Sequence, residues 1–216
     1  MTFCNDIDLL HWEPGLFAEA GFASQQLLTG TGNLAGTAFT ISSGSLIDAH
    51  VTANQVIILS GAVGGCFPIV SVNTATQLTL SVLYDGLDPD GGDPRPGPVG
   101  TSSGLAFAIR TFWPQRKVVS DILRAAAGLD RVENAAHRIV NTAALRRPAA
   151  LGTLQLIYGA LAAAVTSEPN TFAIRAALYA RLYRRALNQT RIELDTDGDG
   201  EADLARDLGV LTLDRR

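Results

Sequence analysis

The sequence of 216 residues predicts an α+β protein, with strands and helices segregated along the chain: a small closed β-barrel or sandwich, a four-helix bundle and a C-terminal β-hairpin. Three observations carry this reading. Residues 30–112 hold five short β-branched or apolar stretches separated by turn residues. Residues 113–189 carry apolar side chains at helical spacing, with start and stop signals at the right places. Residues 190–216 set an Asp/Gly-rich stretch between two short apolar runs, Ile192–Leu194 and Val210–Leu213.

The elements follow in order. Residues 1–29 are expected to form an N-terminal arm or short helix, interrupted by the turn pair Pro14-Gly15. Gly30, Gly32 and Gly36 then punctuate the entry to the β region. Strands are expected at Thr37–Ile41, Gln55–Ser60, Phe67–Val72, Gln77–Leu83 and Leu105–Arg110, with Asn73–Thr76 as a hairpin turn and Asp88–Gly104 as an exposed loop. Pro114 suits the first turn of a helix whose inner face would be Val118, Val119, Ile122 and Leu123, stopping at Gly128. Asp130–Glu133 resembles a capping box, opening a second helix with Val132, Ala136, Ile139, Val140 and Ala143 at helical spacing. Pro148 would open a third, with Leu151, Leu154, Tyr158, Leu161 and Val165 inward; Gly159 and its neighbouring alanines would allow close packing. Asn170 would cap a fourth, with Phe172, Ile174, Leu178, Leu182 and Leu187 inward. The outer face of that helix holds Arg181, Arg184 and Arg185, either as a solvated surface or as a partner-binding surface. The hairpin would pair Arg191–Leu194 with Val210–Leu213.

Composition narrows the function classes. No apolar run approaches the length of about 20 residues that crosses a bilayer, and the start of the chain lacks a signal-peptide pattern. A soluble protein made in a cytoplasm, with no membrane partner, is expected. Cys4 and Cys66 make neither a disulfide framework nor a metal spacing. The net charge of −4 conceals segregation. Residues 1–112 hold nine acids and two bases, residues 113–192 four acids and twelve bases, and residues 193–216 eight acids and three bases. Such asymmetry fits complementary faces, between copies or toward a partner. All cations but Lys117 are arginine, whose fork suits ionic interfaces and also follows from Arg-rich codon usage.

The one sharp motif is Asp195-Thr-Asp197-Gly-Asp199-Gly-Glu201-Ala-Asp203. Ca²⁺ takes about six to eight oxygens, and Asp at the first, third and fifth positions before a Gly wraps carboxylates around one ion. Asp195, Asp197 and Asp199 would fill those positions, Glu201 would offer its carbonyl, and Asp203 the ninth position. The loop departs from the EF-hand at the twelfth, which is Arg206. It is nearer to short Asp-x-Asp-x-Asp-Gly-x-x-Asp calcium loops, and a plain polar hairpin turn uses the same residues. Ca²⁺ is the one cofactor the sequence suggests.

No catalytic residues are expected, and the chain reads as a non-enzyme. His11, His50 and His137 have no ligand-spaced partners, Ser42–Ser45 lacks a nucleophile elbow, and Cys66 has no adjacent His. Gly61–Gly65 echoes a phosphate loop without its Lys-Ser/Thr. A hydrolase using carboxylates is the weakest of the readings. Sequence-specific nucleic-acid binding has little support, since aromatics make up 6% and the β half is acidic.

The order of parts resembles that of virion proteins of tailed bacteriophages, in particular head–tail connector (adaptor, or head-completion) proteins. The helical stretch Ser120–Gln189 and the ending Arg191–Arg216 carry the resemblance, and the stretches from Ala49 to Leu80 look like an SH3-like barrel set before the bundle. The resemblance implies a structural protein of the virion neck, assembled in the host cytoplasm into a homo-oligomeric ring of twelve copies. Its partners would be the portal protein, which the helical bundle docks under, and a tail or head-closure protein. DNA would pass through without sequence-specific binding, along an acidic lumen for which Asp195–Asp203 and Asp85–Asp93 are the candidates. Another tail or neck component, or a calcium-dependent binding module, are the alternatives.

Overall fold

The structure is a computed structural model that describes residues 2–83, 96–129, 138–165 and 170–209. It is an α+β chain of two compact units, one spanning Asp6–Phe112 and the other combining Met1–Asn5 with Trp113–Arg216.

The first unit is a closed antiparallel barrel. Helices α1 (Asp6–Trp12) and α2 (Leu16–Glu19) and a 3₁₀ turn at Ala23–Gln25 precede its six strands. These are β1 (Gln26–Gly36), β2 (Ala38–Ile41), β3 (Val56–Ser60), β4 (Gly65–Val72), β5 (Gln77–Leu80) and β6 (Gly100–Arg110). Their order is β1-β2-β5-β4-β3-β6, and β6 pairs back onto β1, so no strand edge is left open. Alternate residues point inward. Phe39, Ile57, Ile69, Leu78, Leu80 and Ile109 are fully buried and fill the interior with side chains.

β1 is the strand the sequence conceals. Its glycines make it read as a punctuated entry, and they are there for room. A side chain at Gly32 would collide with the Phe39 ring and the Thr40 carbonyl; one at Gly30 would crowd the Phe107 ring. Those two rings meet edge to face, 5.4 Å between centroids, inside the barrel. The register between β1 and β6 also shifts between Gly32 and Leu34, as a bulge requires. Residues 100–104, expected in the exposed loop, instead begin β6. The rest of the expected Asp88–Gly104 loop, up to residue 95, lies outside the described residues.

The expected arm is folded into this unit. Asp6, fully buried in the first turn of α1, accepts hydrogen bonds from Thr111 Oγ1 (2.7 Å) and the Phe112 amide (3.1 Å). Arg110 donates to the Phe17 carbonyl (2.7 Å), and the rings of Phe17 and Phe112 lie 4.9 Å apart. Both helices pack against β3.

The second unit contains α3 (Trp113–Ala126), a 3₁₀ turn at Thr142–Leu145, α4 (Arg146–Ala164), α5 (Thr171–Gln189) and the strand pair β7 (Arg191–Leu194) and β8 (Leu204–Asp207). Pro114 lies in the first turn of α3, and Gly128, at φ +77°, follows its end. α3 buries Val119 and Leu123, whereas Val118 and Ile122, expected on the same inner face, are each half exposed. The first residues of the chain pack on this helix: the Phe3 amide donates to Ser120 Oγ (3.0 Å), and Arg116 donates to the Cys4 carbonyl (3.0 Å).

α4 opens at Arg146, two residues before the expected Pro148. Its N-terminal two-thirds is buried nearly all round, which an alanine-rich helix allows. Asn170 caps two helices at once. Its Oδ1 accepts from the Ala173 amide at the start of α5 (3.1 Å), and its Nδ2 donates to the Ala162 (2.9 Å) and Val165 (3.2 Å) carbonyls at the end of α4. Tyr158 stacks on Tyr179 (5.7 Å, 5°) and Phe172 (6.2 Å), with the Arg175 guanidinium over its ring. This aromatic stack turns α5 so that Tyr179 and Ala186 face inward. Ile174 (65% exposed) and Leu178 (40%), expected inside, face out.

Among the described residues this unit holds three α-helices. The expected capping box and the first part of the second helix, residues 130–137, lie outside them. The remainder is not α-helical. Ile139 bridges to Leu194, the Val140 amide donates to the Glu193 carbonyl (2.9 Å), and the Asp195 amide to the Arg138 carbonyl (2.8 Å). Residues 138–140 thus cover the free edge of β7, a tertiary use that overrides helical periodicity. The hairpin partner of Arg191–Leu194 is Leu204–Asp207; the expected partner, Val210–Leu213, lies outside the described residues. A nine-residue Asp/Gly loop closes the nearer pairing directly.

Close helix packing centres on Gly152, not on the expected Gly159. A side chain at Gly152 would press on Val119 of α3 and Tyr183 of α5, whereas nothing lies within 4 Å of one at Gly159. Gly152→Ala is expected to destabilise the protein by ~1–3 kcal/mol through overpacking. Gly159→Ala should stabilise it by ~0.5–1 kcal/mol through helix propensity. Urea unfolding of both variants checks the pair; equal effects would contradict this packing.

Candidate functional site

The acidic loop is positioned by both ends of the hairpin. Thr190 closes α5, its Oγ1 donating to the Ala186 carbonyl (2.8 Å), and its own carbonyl receives the Leu208 amide (3.0 Å). That bond holds the base of the hairpin at the end of the helix. Ile192 and Leu194 are buried, Arg191 and Glu193 point out, and β8 is exposed throughout. Asn141 ties the other edge of β7, donating to the Arg191 carbonyl (3.1 Å) and accepting from the Glu193 amide (2.8 Å).

Arg206, the residue that spoils the EF-hand pattern, has a structural task. Its guanidinium donates to the Ala127 carbonyl at the end of α3 (2.8 Å) and packs over Gly128, where any side chain would collide with it. A cation suits a helix C-terminus. Neither Arg206 nor Asn141 is flagged as functional by the sequence; the misfit at the twelfth position was the only sign of Arg206.

Within the loop, side-chain carboxylates take up backbone amides. Asp195 is buried and accepts from Gly198 (2.6 Å) and Gly200 (2.9 Å), one on each oxygen. Asp203 accepts from the Thr196 amide and hydroxyl, both at 2.7 Å. Asp197 accepts from the Asp199 amide (3.2 Å), and Asp199 from the Glu201 amide (2.8 Å). Gly198 and Gly200, at φ +91° and +88°, supply the left-handed turns this winding needs. Hydrogen bonds from Gly198 and Gly200 hold the Asp195 carboxyl below its usual range; those from Thr196 do the same for Asp203.

Of the four aspartates expected to offer carboxylates, three converge. Oxygens of Asp195, Asp197 and Asp203 lie within 4.8 Å of one another, an all-oxygen set of the kind hard cations take. The side chains of Asp199 and Glu201 stand outside this trio, in solvent. Among the described residues no other such group of metal-capable side chains forms. His11 and His50 belong to the barrel unit, and His137 lies outside the described residues. The Gly61–Gly64 stretch is the turn between β3 and β4.

The second expected surface lies on α5. Arg181, Arg184 and Arg185 are all exposed, and Arg184 Nε reaches only its own helix, at the Ala180 carbonyl (3.3 Å). Ile174 and Leu178 continue the same exposed side toward the helix start.

No described helix is long and apolar enough to cross a membrane. No family model, curated protein or solved structure matches the chain.

The depressed carboxyls define a pH dependence. A carboxyl whose folded pKa lies below its unfolded value of about 3.9 stabilises the fold fully above that value, and the stabilisation is lost as pH falls through the folded pKa. The loop is therefore expected to hold down to about pH 4 and loosen below it. The Gly198 and Gly200 amide proton shifts, followed by NMR, should titrate with a midpoint below that of an ordinary Asp. A midpoint at or above the ordinary value would contradict the two-amide cradle around Asp195.

Proposed function

We propose that this chain is a structural virion protein of the head–tail connector kind, which forms a ring on the portal and joins capsid to tail. The observation that carries the reading is the outer side of α5. There Arg181, Arg184 and Arg185 stand exposed beside exposed Ile174 and Leu178, a mixed apolar and guanidinium surface of the composition found at protein contacts. Two compact units in one chain, a barrel with no open edge and a helical unit ending in a hairpin, suit a part that must join different neighbours. In this reading the barrel is of the SH3-like class, the helical unit is the portal-docking bundle, and the protein has no catalytic role. Its acidic excess suits a channel that passes DNA without grasping phosphates.

Electron microscopy with mass determination, on the protein alone and mixed with its portal ring, tests this. A ring seated on the portal is the expected result, and a monomer that ignores the portal would overturn the reading. Arg181, Arg184 and Arg185 all changed to Glu should abolish docking while the circular dichroism spectrum stays that of the wild type.

A second reading, a calcium-dependent binding module, is favoured by the convergence of Asp195, Asp197 and Asp203. It expects Ca²⁺ binding in the micromolar-to-millimolar range, weakened at least about tenfold by Asp197→Ala, whose carboxylate is exposed and accepts a single loop amide. Calorimetry and thermal shift with no response to Ca²⁺ would dispose of it.

A further inference from the structure

We infer that the outer face of α5 is one half of a contact between copies of this chain, and that the other half is the hairpin tip, Asp197, Asp199 and Glu201, of the next copy. The inference rests on the ring-forming reading above and assigns that face to the contact within the ring, so that the loss of portal docking expected of the Arg-to-Glu variant follows from loss of the ring.

The face is continuous. Ile174, Leu178, Arg181 and Arg185 follow one another at steps of four, three and four, which places them on one stripe of the helix. Its first half is apolar and its second half cationic, with Arg184 alongside. The tip carries three exposed carboxylates within five residues, each repelling the others. Among the described residues neither the three arginines nor these three acids enters an ion pair. The base of the hairpin is held at the end of α5 by the Leu208–Thr190 bond, and its tip lies beyond four residues of β7, about 13 Å of strand.

Charge decides the kind of contact. If the α5 face met its own image, a two-fold axis along the helix would set guanidinium groups against guanidinium groups, which is costly, and one across the middle of the stripe would set them against Ile174 and Leu178; neither gives them a carboxylate. The face and the tip are instead opposite in sign and equal in number. A contact between two different patches of the same chain is head-to-tail, and such contacts close into rings or run on as filaments. The wound loop favours this use: Asp195 and Asp203 each take two loop hydrogen bonds, whereas Asp197 and Asp199 each take one and, with Glu201, stand exposed at the tip.

The test uses the full chain and sedimentation equilibrium over a range of concentration and salt. Wild type should self-associate, and more weakly at high salt. Reversing the face (R181E with R184E and R185E) or the tip (D197K with D199K and E201K) should each weaken association about tenfold or more. Mixing the two variants should restore it, because each then offers the complement of the other; this restoration also guards against variants that merely misfold. Both variants associating as wild type does, or a mixture no better than either alone, would overturn the contact. Wild type that stays monomeric, yet binds the portal ring through an intact face, would overturn it as well while leaving the connector reading standing. Loss of both self-association and portal binding in the wild type would remove the two together.

Discussion

A buried backbone amide or carbonyl must find a partner, and in this protein that constraint is met at the ends of elements by a few polar side chains. Asp6 takes up the Phe112 amide where β6 ends. Asn170 serves the last carbonyls of α4 and an early amide of α5 with one side chain. Asn141 completes the edge of β7, Arg206 completes the end of α3, and Asp195 gathers two amides of the loop that closes the hairpin. The helices and strands supply the bulk of buried apolar surface, but where each one stops and which way the chain leaves it are set by these few groups.

The same constraint shapes the acidic loop. Four aspartates and a glutamate within nine residues would repel one another if all were free. The fold divides them. Asp195 and Asp203 are drawn into hydrogen bonds that favour their charged forms, and they build the loop. Asp197, Asp199 and Glu201 remain exposed and give the tip its charge. A loop organised by its own amides in this way can present carboxylates to a cation, whether an ion held by Asp195, Asp197 and Asp203 or the guanidinium groups of a neighbour.

Charge segregation along the chain acquires a spatial meaning on α5. The basic excess of residues 113–192 spreads over several elements, and some of it is consumed structurally, as with Arg116 at the Cys4 carbonyl and Arg175 over Tyr158. What is left exposed on one helix is the triplet Arg181, Arg184 and Arg185, next to apolar residues that the fold declined to bury.

Much of this was legible in the sequence. The α+β class, the strands β2 to β5, the start of α3, the Asn170 cap and the first strand of the hairpin all follow from local periodicity and turn chemistry, which act over a few residues and so leave their mark in them. The candidate site was legible as composition, though not as geometry, since which of five acids converge depends on how the loop winds. The rest was decided by contacts distant in sequence. β1 is a strand because Phe39 and Phe107 need its glycines, and β6 begins at Gly100 because β1 is there to pair with it. Ile139 and Val140 have helical spacing but lie along β7, whose edge must be covered. The inward face of α5 is chosen by the Tyr158–Tyr179 stack, so Ile174 and Leu178 end in water. Periodicity reports that a helix has a buried side; only the partner that covers it determines which side that is.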